Sequence, residues 1–293
     1  MDKLDIAVKR IKEASDMSLY YYEKPLLLTY SGGKDSDAVR EVAKIAGIPY
    51  EIQHSHTTAD APETVRHVRK VFHKLELQGI KCTINYPAYK GRRTSMWDLI
   101  PQKQMPPTRL VRYCCAILKE TAGRDRFIVT GVRWAESNAR KKNRGAFEKN
   151  HPDKEKRIIL NNDNDDARLL FENCKLQGKR TVNPIIDWTD GEVWTFLKEQ
   201  KTECNPLYCE FGRVGCVGCP MAGKAGREAE FLRWPAYRKL YIKALDRMVE
   251  QRKHDGLRTE WRDGLDAFNW WMEYDVLPGQ IDLLEDYNGQ QAD

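Results

Sequence analysis

The stretch "LLLTYSGGKDSDAV", residues 26 to 39, constrains the fold more than any other part of the chain. Leu26 to Tyr30 is too short and too uniformly apolar for a surface helix, the pattern of a parallel strand buried on both faces. After two glycines, Ala38, Val39, Val42, Ala43 and Ile45 follow at helical spacing and Gly47 closes the run, so a strand gives way to a helix at a glycine-rich turn. Such a turn points backbone N–H groups outward at the positive end of the helix macrodipole, where phosphates bind. Gly32 and Gly33 permit close ligand approach, Lys34 supplies a cation, and Ser31 and Ser36 supply hydroxyl donors. The pattern G-x-x-x-x-G-K-[ST] is not met, which disfavours a Walker-type triphosphatase.

The same alternation continues along the chain. Leu4, Ala7, Val8, Ile11 and Ala14 predict a helix over residues 2 to about 18. A strand at 50 to 54 precedes a helix opened by Pro62 and striped by Val65, Val68, Phe72 and Leu75. "CTINY" (82 to 86) and "FIVTG" (127 to 131) read as strands, with "RLVRYCCAILKETAG" (109 to 123) as the helix between them. "NPIIDW" reads as a further strand, and Thr189 with Glu192 gives a capping-box signature for the helix that follows. The expected fold is α/β, a doubly wound, mostly parallel five-stranded sheet with a helical, cysteine-containing C-terminal lobe. Residues 141–182 read as a polar insertion or lid, and the helical stretch from Arg227 to Lys253 breaks at Pro235. The expected division is a nucleotide-binding domain at 1–200 and a metal-binding cysteine segment with helical lobe at 201–293.

No apolar run approaches the ~20 residues needed to cross a bilayer, and the amino terminus is charged where a secretory signal is apolar. A cytoplasmic, membrane-free protein is expected. Under that reading the 8 cysteines point to metal or redox chemistry sooner than to a disulfide scaffold. The net charge of +6, from 49 basic against 43 acidic residues, is compatible with polyanionic ligands without establishing nucleic-acid binding.

"CNPLYCEFGRVGCVGC" places cysteines at 204, 209, 216 and 219, and "VRYCCAILKE" adds Cys114 and Cys115. C-x-x-C flanked by glycines lets two thiolates face one metal from a tight turn; zinc and an iron-sulfur cluster both accept such ligands. Cys82 and Cys174 read as small buried hydrophobes, Cys204 as either kind, and Trp188, Trp194, Trp234 and Trp270 as core.

"SGGKDS" resembles the PP-loop of the ATP pyrophosphatase superfamily, within the adenine nucleotide alpha hydrolase-like fold. "ADAPET" is similar to the acidic segment of phosphoadenosine-phosphosulfate reductases, although the "DTG" usual there is "TTA" at residues 57 to 59. "GVRWAESNAR" and "NPIIDWTDGEVW" match further segments of that group, in order, so the resemblance covers residues 26 to about 222. It implies nucleotide contacts at Ser31, Gly32, Gly33, Lys34, Asp35, Ser36, Gly131, Arg133, Glu136 and Arg140, with Lys34, Asp35 and Arg133 as catalytic candidates. Arg133 and Arg140 would hold phosphate or sulfate oxygens with Glu136 positioning one of them, or the three would form a plain charge-paired helix face. Asp60 and Glu63 would bind Mg²⁺ through ATP phosphates, or simply favour the positive end of the next helix. Adenylyl-sulfate reductases hold a 4Fe-4S cluster with a Cys-Cys pair and a distant C-x-x-C, which maps onto Cys114, Cys115, Cys216 and Cys219. "RYCCAILK" resembles instead a segment of the ATP pyrophosphatases of DNA phosphorothioation, which favours Cys114, Cys209, Cys216 and Cys219, with Cys115 as rival fourth ligand and Zn²⁺ as the alternative metal.

Two activities follow from the resemblance, and a third reading is non-catalytic. The preferred one cleaves ATP to AMP and pyrophosphate, adenylating an acceptor for sulfur transfer; DNA, tRNA or a small metabolite would be the acceptor and a cysteine desulfurase-like protein the donor. The alternative reduces adenylyl sulfate or its 3′-phosphorylated form to sulfite, with a nucleophilic cysteine in a carboxy-terminal E-C-G-L-H segment; no cysteine follows Cys219 here. The third reading is a nucleotide-sensing subunit that regulates a partner. A second copy of the chain, as a homodimer, is one candidate partner, and the sequence leaves the oligomeric state open.

Overall fold

Leu26–Thr29 (β1) has its three leucines buried on both faces, and the computed structural model, which describes residues 2–120, 123, 125–150, 158–160 and 179–274, places it inside one sheet. Two compact units form: residues 2–91 with 117–216, and residues 92–116 with 217–274. The helical unit thus draws on residues 92–116, which a linear reading leaves in the nucleotide-binding domain.

In the first unit, β1 is joined by Tyr50–Ser55 (β2), Cys82–Asn85 (β3), Phe127–Val129 (β4), Phe147–Asn150 (β5), Ile158–Leu160 (β6) and Lys179–Val182 (β7). The sheet has seven strands in the order β3-β2-β1-β4-β7-β5-β6. The first five in that order run parallel, with Leu28 opposite Ile52 and Val129, and Ile128 opposite Thr181. Strands β5 and β6 are antiparallel and widen the sheet beyond the five strands expected. They come from the insertion, whose residues 151–157 and 161–178 lie outside the described residues.

The fifth parallel strand is β7 and not "NPIIDW". Pro184 has no N–H to give to a central ladder, so pairing stops at Val182 and the next residues turn, burying Ile185 and Ile186. Helices Lys3–Tyr22 (α1) and Lys34–Ala46 (α2) pack on each other and on β1, and Pro62–Glu76 (α3) packs on β3. Gly47 takes φ +65° at the C-cap of α2, as its position predicts, but Ile45 is exposed. Asp190–Glu199 (α4) packs on α2 and begins with the expected box: Thr189 Oγ1 accepts from Glu192 N at 3.3 Å, and Thr189 N donates to Glu192 Oε2 at 2.7 Å.

The helix expected over 109–123 shrinks to a short turn with a π-helical stretch at Cys115–Lys119. Leu110 and Val111 are exposed and only Leu118 is buried in the π stretch, so no apolar stripe sustains a longer helix. In the second unit, Gly223–Arg233 (α5), Pro235–His254 (α6) and Gly264–Trp271 (α7) pack with the short helix Met96–Lys103. Their core includes Phe231, Tyr241, Met248, Phe268 and Trp271, and Pro235 starts α6 as its place predicts. Trp188 and Trp234 are buried as expected, Trp270 is half-buried, and Trp194 is exposed. Among the described residues no helix is long and apolar enough to cross a membrane.

Candidate functional site

Strand order reverses between β1 and β4: β2 and β3 lie to one side of β1, and β4 with β7 to the other. In open parallel sheets, ligands bind in the crevice outside the carboxyl ends of strands at such a reversal. Those ends lead into Ser31–Lys34 and Gly131–Arg133, so the topology brings the two sequence motifs to one place. Gly131 is needed for their approach, because a Cβ there would lie 2.8 Å from the carbonyl oxygen of Asp35.

Gly32 adopts φ +74° in the turn. Its carbonyl accepts a hydrogen bond from Asn205 Nδ2 at 3.0 Å, and the same nitrogen donates to Thr64 Oγ1 at 3.0 Å, so one amide pins the turn to α3. Ser36 Oγ donates to Gly33 O at 2.7 Å and lies 3.3 Å from Ser31 Oγ. Gly33 caps α2 without a side chain, and the Lys34 N–H donates to the Tyr208 hydroxyl at 2.9 Å. Tyr208 in turn meets the Trp194 ring edge-on at 5.0 Å.

Four charged groups face one another beside the turn. Lys34 Nζ lies 3.3 Å from Asp35 and 3.2 Å from Asp190. Arg133 is 1% exposed and bonded through all three nitrogens: Nε donates to Asp35 at 2.7 Å, Nη1 to the Trp188 carbonyl at 3.1 Å, and Nη2 to Asp190. Burial alone would raise the Asp190 pKa, but the Arg133 hydrogen bond and the Lys34 charge hold it below the ordinary value. Glu136 accepts from the Arg133 backbone at 3.1 Å and pairs with Arg140, at a more open position.

Beneath the turn, Tyr30 OH donates to Asp37 Oδ1 at 2.7 Å and lies 3.2 Å from His67 Nε2, while Arg40 pairs with Asp37 at 3.4 Å. Burial raises the Asp37 carboxyl to about 6 and lowers His67 to about 4. Asp60 is buried and accepts from Thr57 N at 2.7 Å, while Glu63 stands in the first turn of α3, 3.5 Å from Arg66.

The cysteines fall in both units: Cys209 and Cys216 in the first, Cys114, Cys115 and Cys219 in the second. None of the five forms a disulfide among the described residues. Cys216 is buried, its backbone bridges that of Asp60, and its thiol donates to Thr57 Oγ1 at 3.3 Å. Gly218 between the C-x-x-C thiols takes φ +73° with the Phe231 ring where a Cβ would stand, and its N–H donates to Glu230 at 2.6 Å. Gly218 and its bond to Glu230 shape the turn, and thiols are the donor type that zinc or an iron-sulfur cluster takes. Burial raises Cys82 and Cys204 to about 11, which keeps both thiols neutral and suits the small-hydrophobe reading of each. Cys174 lies outside the described residues.

Sequence reading does not find Asn205, Tyr208 or Asp190. Asp190 carries a faint signal, as it stands next to the capping Thr189; the others reach the site only through the fold.

The family model for the phosphoadenosine phosphosulfate reductase domain matches residues 25–222. An uncharacterized protein of Methanocaldococcus jannaschii is 27% identical over 250 residues, 80% of this chain, which spans 50% of that relative's length. The adenosine 5′-phosphosulfate reductase of Allochromatium vinosum is 33% identical over 58 residues, 20% of this chain and 23% of that enzyme. Among solved structures, the phosphoadenylyl-sulfate reductase of Candida auris in a phosphate complex aligns with 73% of this chain and 93% of its own, at 18% identity and TM-score 0.42. The U34-tRNA thiolase of Methanococcus maripaludis with its [4Fe-4S] cluster aligns with 86% of this chain and 82% of its own, at 13% identity and TM-score 0.43.

Proposed function

The chain belongs to the phosphoadenosine phosphosulfate reductase domain family, and from that premise we propose that it cleaves ATP to AMP and pyrophosphate, adenylating an acceptor for sulfur transfer. The observation that carries this reading is the charge pattern of the crevice: Asp35 and Asp190 stand beside Lys34 and Arg133 at the end of a phosphate-type turn. Each carboxylate is already paired with Lys34 and Arg133, and a nucleotide bound as its Mg²⁺ complex brings a further cation that two such carboxylates can help to hold.

In this mechanism the amides around Gly33 and Lys34 bind the β- and γ-phosphates. An acceptor oxygen attacks the α-phosphorus, the bond to the bridging oxygen of the β-phosphate breaks, and pyrophosphate leaves with its charge offset by Lys34. Three of the five Arg133 N–H groups hold Asp35, Asp190 and the Trp188 carbonyl, so its part is to keep the two carboxylates in place beside the phosphates; Arg140, more open, also reaches the nucleotide. Hydrosulfide, or the terminal sulfur of a persulfide on a donor protein of the cysteine desulfurase type, then displaces AMP from the activated acceptor; in the persulfide case a second thiol attacks the resulting S–S bond, releasing the sulfur on the acceptor and leaving a protein disulfide. The acceptor is a nucleic acid (DNA or tRNA) or a small metabolite. Cys114, Cys209, Cys216 and Cys219 would hold a 4Fe-4S cluster, with Cys115 the rival fourth ligand and Zn²⁺ the alternative metal; when bound it supplies a sulfur-carrying or structural centre.

Anaerobic protein given ATP, Mg²⁺ and the right acceptor is expected to release pyrophosphate, and Lys34→Ala to lower that rate by about 10²-fold or more. A second reading, reduction of adenylyl sulfate, is favoured by the short matches to reductases, which reach 37% identity over 57 residues. Sulfite formed from adenylyl sulfate and a thiol, with no need for ATP, would replace the first reading by the second.

A further inference from the structure

We propose that His54, His56 and Asp60 bind one divalent transition-metal ion through a nitrogen and oxygen site whose ligands are separate from the cysteine set. The inference does not depend on which reaction the crevice performs.

His54 decides its own tautomer. Its Nδ1 lies 2.9 Å from the carbonyl oxygen of Tyr30, which can only accept, so Nδ1 carries the proton and Nε2 carries the lone pair. The side chain is 5% exposed, and Nε2 is buried with no hydrogen-bond partner among the described residues. It faces Asp60 Oδ2 at 4.0 Å, too long for a hydrogen bond. The unpartnered lone pair of His54 Nε2 therefore faces an anionic oxygen, which accepts from Thr57 N at 2.7 Å, across a gap in the interior. His56 Nδ1 lies 3.4 Å from the same oxygen, and the three ligand atoms lie within 4.8 Å of one another.

A cation resolves that arrangement. Metal-to-nitrogen and metal-to-carboxylate distances of about 2.0–2.2 Å set ligand atoms about 3–4 Å apart around a shared ion. The supports are those a metal site uses: the Tyr30 carbonyl fixes the His54 ring through its far nitrogen, and the Thr57 N–H holds the Asp60 carboxylate. Two imidazoles and one carboxylate suit Zn²⁺, Fe²⁺ or Co²⁺ over Mg²⁺, which prefers oxygen. His56 is partly exposed and lines a shallow cleft with Arg69, Ile84 and Tyr86, which gives the ion an entry path and leaves coordination positions open.

Co²⁺ is the probe, titrated into protein in which Cys114, Cys115, Cys209 and Cys219 are serine. We expect one equivalent to bind with weak ligand-field bands and no thiolate charge-transfer band, and His54→Gln and His56→Gln each to weaken binding at least tenfold. Absence of stoichiometric binding, or an unchanged affinity in both histidine variants, would overturn the site. If the serine protein does not fold, wild-type protein with its thiolate centre loaded is titrated. A further equivalent with the same nitrogen and oxygen signature is then expected, and its absence counts equally against the proposal.

Discussion

Arg133 shows how much a single residue can settle. A guanidinium bonded at every nitrogen and 1% exposed is a strut between two carboxylates and the Trp188 carbonyl. Lysine keeps the charge but loses the planar fork, so Arg133→Lys leaves Asp35 or Asp190 to Lys34 alone. We expect a loss of roughly 2–4 kcal/mol in stability by denaturant titration, with nucleotide affinity falling further than stability explains. Asp37 makes a prediction of opposite sign. Its carboxyl is held at about 6 against an ordinary 3.8, so in the folded chain the charged form is disfavoured. The unfolded chain releases this proton first as pH rises, so the contribution of Asp37 to stability falls between about pH 4 and 6 and stays low above. Asparagine resembles the neutral acid, and Asp37→Asn should be more stable than wild type by roughly 1–3 kcal/mol at pH 7, with the difference gone below pH 4. His67, lowered to about 4, works the other way in the same window: its contribution is lost as pH falls from 6.5. Removing Asp37 should therefore uncover a steeper fall in melting temperature on acidification.

At the scale of elements, Tyr208 shows a short segment acting on a helix it does not adjoin in sequence. Its hydroxyl accepts the Lys34 N–H, the amide a bound phosphate would use. If phosphate and hydroxyl compete for it, Tyr208→Phe should tighten nucleotide binding by about 3–10-fold, the worth of one hydrogen bond; weaker binding in calorimetry would mean that the hydroxyl helps to hold the ligand. No local pattern announces this contact, which spans 174 positions, just as the Asn205 contact to Gly32 spans 173. What was legible in the sequence is what neighbours decide: the buried leucines of β1, Gly47 ending α2, Pro62 starting α3, and the Thr189 and Glu192 box. "NPIIDW" misled because apolarity outweighed Pro184, whose missing N–H ends the ladder at Val182. The extra strands β5 and β6 were hidden because they are short runs, "FEKN" between two partners and "IIL" at the edge, inside a stretch that is otherwise polar. Of the crevice, the glycines and Lys34 were readable. The partners that hold them were not, because topology alone brings them together.

For the molecule as a whole, the question is whether the nucleotide crevice and the cysteine segment behave as one device. Residues 205 to 216 bear on both. Asn205 and Tyr208 fasten the phosphate turn, Cys209 follows directly, and Cys216 is bonded to Thr57 in the loop that carries Asp60. Thiolate ligation at Cys209 and Cys216 would fix the two ends of that segment and restrict where Tyr208 stands relative to Lys34. A metal centre that changes the affinity of the crevice must itself be bound more tightly or more weakly, by the same factor, when nucleotide is present. We expect ATP affinity to differ by at least about fivefold between protein with its metal centre loaded anaerobically and protein stripped by a chelator, and nucleotide to alter the rate and extent of metal loss in the matching direction. Calorimetry on the two forms, with Cys219→Ser as a folded control that weakens the centre without touching residues 205 to 216, checks both halves. Equal ATP affinities in the two forms, with full metal content verified in one, would mean that the segment is a passive link and that the cysteines serve a purpose independent of the nucleotide.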